Sequence, residues 1–164
     1  MVPGDKLMCI SPEKITKAIL IVPAGIYNAS KSKLIFSMGI PMMMYIVTKK
    51  EEWFEKAFLP MTTNGEPIDK DTLEMIRTSF NHVNVNPNMP SNIKKEDIIN
   101  YQAPTLLIAG EKDVLFPGDK VIRRAKEIIH NVETHLLQDC GHLYFSSHKR
   151  RQHIKSIINI FLSK

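Results

Sequence analysis

Apolar positions follow two different rhythms along this chain. Lys17 to Val22 (KAILIV) is a short, continuous apolar run that Pro23-Ala24-Gly25 stops. Pro104 to Ala109 (PTLLIA), closed by Gly110, reads the same way, as does Glu133 to Leu137 (ETHLL), closed by Asp139-Cys140-Gly141. Unbroken runs of this length suit strands buried on both faces, as in a parallel sheet. Between the second and third runs the rhythm is helical. Val121, Ile122, Ala125, Ile128 and Ile129 share one face, Lys120, Arg123, Arg124, Lys126 and Glu127 take the other, and Pro117-Gly118-Asp119 supplies an entry. From about His148 to the C-terminus, Ile154, Ile157, Ile158, Phe161 and Leu162 form a second stripe. Strand, helix, strand, helix is the order that right-handed crossovers of a parallel α/β sheet produce.

The stretch between the first two strands behaves differently. Short helices are expected over Lys31 to Met38, Pro41 to Thr48, Glu51 to Phe58 and Thr72 to Val83, with Asp69 or Asp71 capping the last. Asn84 to Asn92, rich in Asn and Pro, reads as a loop, with a short helix after it around Lys94 to Asn100. So long a run of helices exceeds what a simple crossover needs, about a dozen residues. The pattern therefore predicts a core made of residues 1–28 and 101–164, with residues 29–100 inserted as a helical cap over one end of the sheet.

Composition narrows the class. With 164 residues, 43% hydrophobic and 24% charged, the chain suits one globular domain with a real core. The uncharged stretches Ala18 to Ile26 and Leu34 to Thr48 fall short of the roughly 20 residues a membrane span requires, so no membrane partner is expected. No basic leader precedes them, which argues against a signal peptide. Two cysteines, Cys9 and Cys140, are too few for a disulfide framework and lack metal-ligand spacing, and a reduced, cytoplasmic setting is expected. The net charge of +5 raises the question of nucleic acid. Its basic clusters, among them Arg123-Arg124 and Lys149-Arg150-Arg151, lie on amphipathic helices without interleaved aromatics, so they read as solvated helix surface and no nucleic-acid partner is expected.

Chemistry concentrates at the strand ends. Asp113 lies just past the second strand and His142 just past the third, and ligands of open α/β sheets bind outside the carboxyl ends of the strands. A carboxylate there can accept a hydrogen bond from one imidazole nitrogen, leaving the other to take a proton from a hydroxyl. Taken singly, Asp113 could be an ordinary turn residue and His142 a surface histidine; their joint placement favours acid and base positions. Asp139, beside His142, is the competing carboxylate. Glu111 and Lys112 read as solvent-facing loop. His82, His130, His135, His148 and His153 share no metal-binding spacing, and neither metal nor cofactor is expected.

These motifs resemble the C-terminal portion of an α/β-hydrolase fold protein. Gly110-Glu111-Lys112-Asp113 matches the family's G-x-x-D after a strand, and Gly141-His142 matches its G-H after the last strand. Pro12 to Gly25 (PEKITKAILIVPAG) resembles the strand that follows the nucleophile helix, and acid before histidine is the family's chain order. The resemblance covers about Pro12 to Gly25 and Ala103 to Lys164. It implies a partial α/β-hydrolase fold of about three parallel strands with flanking helices and a helical cap, and an esterase- or lipase-like activity in which Asp113 orients His142.

One part is missing from this pattern. No G-x-S-x-G occurs in the sequence, and the residues before Pro12, MVPGDKLMCIS, hold no equivalent. Ser146 and Ser147 fall where they would cap the last helix, and Cys140 is too close in sequence to His142 to share a substrate atom with it. The expectation is a truncated hydrolase, inactive alone, whose parent fold acts on a small, largely apolar ester or acyl compound. Met38, Met42, Met43, Met44, Met61, Met75 and Met89, all in the cap, would line an adaptable apolar pocket or simply fill a helical core. Two readings compete: a non-catalytic binding or assembly module, and a different doubly wound domain. Pro23-Ala24-Gly25 is no phosphate loop, which disfavours the latter. Missing strands would also bare a sheet edge, through which self-association is expected.

Overall fold

The computed structural model describes residues 3–62, 66–82 and 90–164. A short helix, α1 (Pro3–Ile10), leads into strand β1 (Ala18–Ile21). A helical segment follows, comprising α2 (Lys31–Leu34), a π-helical turn (Ile35–Gly39), α3 (Ile40–Thr48), α4 (Glu51–Phe58) and α5 (Lys70–His82). Strand β2 (Thr105–Gly110), helix α6 (Gly118–Ile128), strand β3 (Val132–Leu137) and helix α7 (His148–Leu162) complete the chain. The strands form a parallel sheet in the order β1-β2-β3, with Ala18 opposite Thr105 and Thr105 opposite Val132.

Every residue of β2 is buried, as suits a central strand covered on both faces, and its one polar residue, Thr105, is hydrogen-bonded. Its alternating side chains divide the core. Leu107 and Ala109 pack with Val121, Ala125 and Ile128 of α6, together with Met8, Ile26, Tyr101 and Phe116. Leu106 and Ile108 face the other way, onto Ile154, Ile157 and Phe161 of α7. One helix on each face of a parallel sheet is the three-layer arrangement expected of successive crossovers. At the start of β2 the Tyr101 hydroxyl lies 2.8 Å from Thr105 Oγ1, which in turn donates to the Ala103 carbonyl at 3.0 Å. Burial pushes the Tyr101 phenol above its usual pKa.

Several element boundaries differ from the sequence expectation for local reasons. The first strand ends at Ile21 because Val22, still donating to Ile108 O at 2.8 Å, turns away with φ of 43°. That conformation is uncommon for a β-branched residue. The helices expected over Lys31 to Met38 and Pro41 to Thr48 are one continuous run. Pro41 has no N–H to give and would crowd the carbonyl of Ser37, and the π-helical turn immediately before it absorbs the misfit. Asp69, not Asp71, caps α5, its Oδ1 accepting the Thr72 amide at 2.9 Å, and α5 starts two residues before Thr72. Helix α1 had no forecast; its anchor is Met8, which is fully buried. The expected end of α5 at Val83 and most of the Asn84 to Asn92 loop lie outside the described residues.

Candidate functional site

The turns after β2 and β3 are zipped together by backbone. Glu111 N donates to Leu137 O at 3.0 Å and Lys112 N to Cys140 O at 2.9 Å. So close an approach requires glycine at the end of β2, since a Cβ on Gly110 would lie 2.5 Å from the Cys140 carbonyl oxygen. Glu111 adds a side-chain tie, its carboxylate accepting the Asp139 amide at 2.9 Å. It is therefore a positioning residue rather than plain solvent-facing loop. Asp139 itself sits at φ of 54°, a left-handed conformation that Asp tolerates, and serves as the turn residue.

This clamp brings Asp113 and His142 together. Asp113 Oδ2 accepts from His142 Nδ1 at 2.9 Å, while Oδ1 accepts the Leu115 and Phe116 amides at 2.8 and 3.0 Å. The carboxylate side chain is fully inaccessible and the imidazole is 23% exposed. A buried carboxylate is costly unless its lone pairs are matched, and here three N–H groups donate to it. The proton on Nδ1 points at Asp113, so in the neutral ring Nε2 carries the lone pair. Phe116, delivered by the same turn, meets the imidazole edge-on at a centroid distance of 5.4 Å. Neither Glu111 nor Phe116 was visible as a site residue in the sequence; both follow from the turn geometry.

The helical segment and α7 hold the histidine turn from outside. Leu143 N donates to Met61 O at 2.8 Å. A Cβ on Gly141 would fall 2.3 Å from the carbonyl oxygens of both Met61 and Thr62, so glycine lets the two backbones touch. Arg150 donates to the carbonyls of Gln138 and Asp139 at 3.0 and 3.4 Å, and Arg151 donates to Phe145 O. These two arginines of the basic cluster thus secure the turn around His142 and are not merely solvated surface. Ser147 occupies the N-cap position of α7 without a side-chain capping bond, and Ser146 Oγ donates to Leu143 O at 2.8 Å. Cys140 is buried, with Sγ 3.5 Å from Gly141 O.

A groove of about 480 Å³ runs beside Asp113, lined among others by Tyr27, Ser30, Lys33, Lys112 and Lys120, but His142 is not part of its wall. The methionines do not form a single lining: Met61 is buried under the histidine turn, whereas Met43 and Met75 are exposed. Met89 lies outside the described residues. Among the described residues no group of three or more His, Cys, Asp and Glu side chains could hold a metal ion.

No protein-family model matches the sequence, and no curated protein does. Solved structures do match. The carboxylesterase CesB of Bacillus subtilis superposes with a TM-score of 0.74 over 97% of this chain, at 14% identity. The naproxen esterase of the same organism gives 0.71 over 96% at 15% identity. A serine hydrolase from Cycloclasticus zankles gives 0.69 over 98% at 15% identity. The fold is a partial α/β-hydrolase fold. The chain spans 55%, 55% and 59% of those three proteins respectively, a little over half of each.

Proposed function

We propose that this chain carries the acid and base of a serine-type ester hydrolase, with residues 1–28 and 101–164 as core and 29–100 as cap. Asp113 orients His142, and His142 Nε2 acts as general base and then general acid. The hydroxyl nucleophile comes from polypeptide outside these 164 residues. Its oxygen attacks the acyl carbonyl while Nε2 takes the hydroxyl proton. The ester C–O bond then breaks and Nε2 returns that proton to the departing alcohol, after which water releases the acyl group by the same route. The substrate is a small, largely apolar ester or acyl compound, in keeping with the carboxylesterases of like fold. A reduced, cytoplasmic setting belongs to the same reading.

The observation that carries this proposal is the 2.9 Å contact between a fully buried carboxylate and a partly exposed imidazole at the carboxyl ends of adjacent parallel strands. A fluorophosphonate probe tests it. The 164-residue chain alone is expected to stay unlabelled. Joined in frame to an upstream segment bearing G-x-S-x-G, it is expected to label and to turn over p-nitrophenyl esters, and His142→Ala abolishes both. Labelling of the short chain would refute an external nucleophile, and turnover indifferent to His142→Ala would refute the assigned base. The absence of any G-x-S-x-G from the sequence also supports a second reading, a non-catalytic binding or assembly module derived from a hydrolase. Ester turnover dependent on His142 would eliminate it.

A further inference from the structure

A single peptide unit between β3 and His142 is held at both ends by opposite charges. Its N–H, that of Asp139, donates to Glu111 Oε2 at 2.9 Å. Its carbonyl, that of Gln138, accepts from Arg150 Nη1 at 3.0 Å, and Arg150 Nη2 reaches on to Asp139 O at 3.4 Å. Glu111 stands shortly before Asp113 in the same turn, and Arg150 lies in the first turn of α7. A cation there works against the helix dipole, and that first turn has no acidic residue to offset it. Asp139, at φ of 54°, is the left-handed residue that bends the chain out of β3 toward His142. The backbone bonds from Glu111 N to Leu137 O and from Lys112 N to Cys140 O fix the chain on either side of this peptide. They leave its own N–H and C=O to the two side chains.

We propose that Glu111, the Gln138–Asp139 peptide and Arg150 act as one bridge that positions His142 on Asp113. A carboxylate at the N–H and a guanidinium at the C=O polarise the amide in the same sense, so each bond strengthens the other. Removing either side chain therefore weakens the grip of both. Glu111 and Arg150 are positioning residues: they act on the imidazole through the backbone they share. The bridge joins the turn of the acid, the turn of the base and α7, so the first turn of α7 belongs to the support of the site. Its link to catalysis rests on the acid–base reading above; the bridge itself does not.

Nitrogen-15 NMR of the 164-residue chain tests it through two exchange rates, that of the Asp139 amide and that of the His142 Nδ1 proton. Glu111→Ala should raise both roughly fivefold. Arg150→Met keeps the aliphatic stem and loses the donors. It should raise both by a similar factor, although Arg150 donates to carbonyls and not to the Asp139 N–H. A bridge acting as a unit is non-additive, so the double variant should stay near fivefold and not reach the roughly twenty-five-fold product. Glu111→Gln keeps an acceptor oxygen and should recover most of the parental rates. Asp139→Asn should leave them unchanged, because the contacts fall on main chain. The β2 amides are the control and should not accelerate. An Asp139 amide unmoved by Arg150→Met would overturn the proposal, as would a double variant at the full product. It would also fall if Asp139→Asn behaved like Arg150→Met, or if the β2 amides accelerated with the rest. A parent imidazole protonated at Nε2 would instead refute the acid–base reading, and the Asp139 amide would still decide the bridge.

Discussion

Replacing Asp113 by Asn separates the structural work of this carboxylate from its orienting work. The wild-type side chain accepts three hydrogen bonds, two from the Leu115 and Phe116 amides through Oδ1 and one from His142 through Oδ2. An asparagine can keep its Oδ1 on the two amides, preserving the turn. Its NH2 group then replaces Oδ2, and a donor faces the Nδ1 proton. Two donors cannot share that contact, so the neutral imidazole relieves it by moving its proton to Nε2 and accepting at Nδ1. The cost is the loss of a hydrogen bond to a charged group, about 1.5–3 kcal/mol, set against a total stability of roughly 5–15 kcal/mol. Asp113→Ala strands all three donors around a position where the carboxylate is inaccessible and should cost more, about 3–5 kcal/mol. For a domain of this size the thermal midpoint should fall by roughly 3–12 °C for Asn and by roughly 6–20 °C for Ala. The decisive assay is nitrogen-15 NMR of the His142 ring. The parent is expected to show the Nδ1–H tautomer and Asp113→Asn the Nε2–H tautomer. An unchanged tautomer together with an unchanged melting temperature would refute the assignment of Asp113 as the group that orients this imidazole.

Three further outcomes are expected. Gly141→Ala places a methyl 2.3 Å from two backbone oxygens of Met61 and Thr62, neither of which can rotate away. It should cost about 1–3 kcal/mol as overpacking and increase amide exchange at Leu143, readable by hydrogen-exchange mass spectrometry. The Arg77 guanidinium, whose Nη1 donates to Glu51 Oε1 at 2.7 Å, holds the Glu51 carboxyl below its ordinary value of 4.5. Because the folded-state value is the lower one, the stabilisation is complete above the unfolded value and is lost as pH falls through the folded one. An acid melting series should therefore show a loss that Glu51→Gln flattens; identical pH profiles would count against it. Finally, β1 is an edge strand with only β2 beside it among the described residues, and self-association through that edge is expected. Sedimentation velocity should show concentration-dependent oligomers that Ile19→Pro reduces, proline removing a backbone donor from the strand; a monodisperse monomer would refute it.

What the sequence made legible is what hydrophobic rhythm encodes directly. The apolar run from Leu106 to Ala109 suits a central strand, and the α6 stripe of Val121, Ala125 and Ile128 suits a helix facing a sheet. The carboxyl-end placement of Asp113 and His142 followed from the same rhythm, because strand ends in a parallel sheet share a rim. What stayed hidden depends on backbone proximity between segments distant in sequence. Gly110 looks like a strand terminator until Cys140 O is seen where its Cβ would be, and Gly141 looks like a turn residue until Met61 and Thr62 are in place. Arg150 reads as surface charge because its acceptors are main-chain carbonyls, which have no residue identity to recognise. The continuity of the run from Lys31 to Thr48 was hidden by Pro41. Proline ordinarily breaks a helix, and a π-helical turn is invisible in local propensity.

The site's order and its opening have different origins. Asp113 and His142 are held almost wholly by backbone: amides onto the carboxylate, the Gly110–Cys140 approach beneath, and the Met61–Leu143 bond from the helical segment above. Such a frame tolerates side-chain changes at Leu115, Phe116 and Leu143 as far as its hydrogen bonds go, but not a Cβ at Gly110 or Gly141. The imidazole's partial exposure is therefore not looseness. Its Nδ1 side is closed by a fully buried partner, while the imidazole as a whole stays 23% exposed. The buried carboxylate must be desolvated and matched by three donors, two of which belong to the turn and one to the imidazole. On the proposed reading, the carboxylate sets which nitrogen carries the proton, and that is the reason to look for a hydroxyl at Nε2.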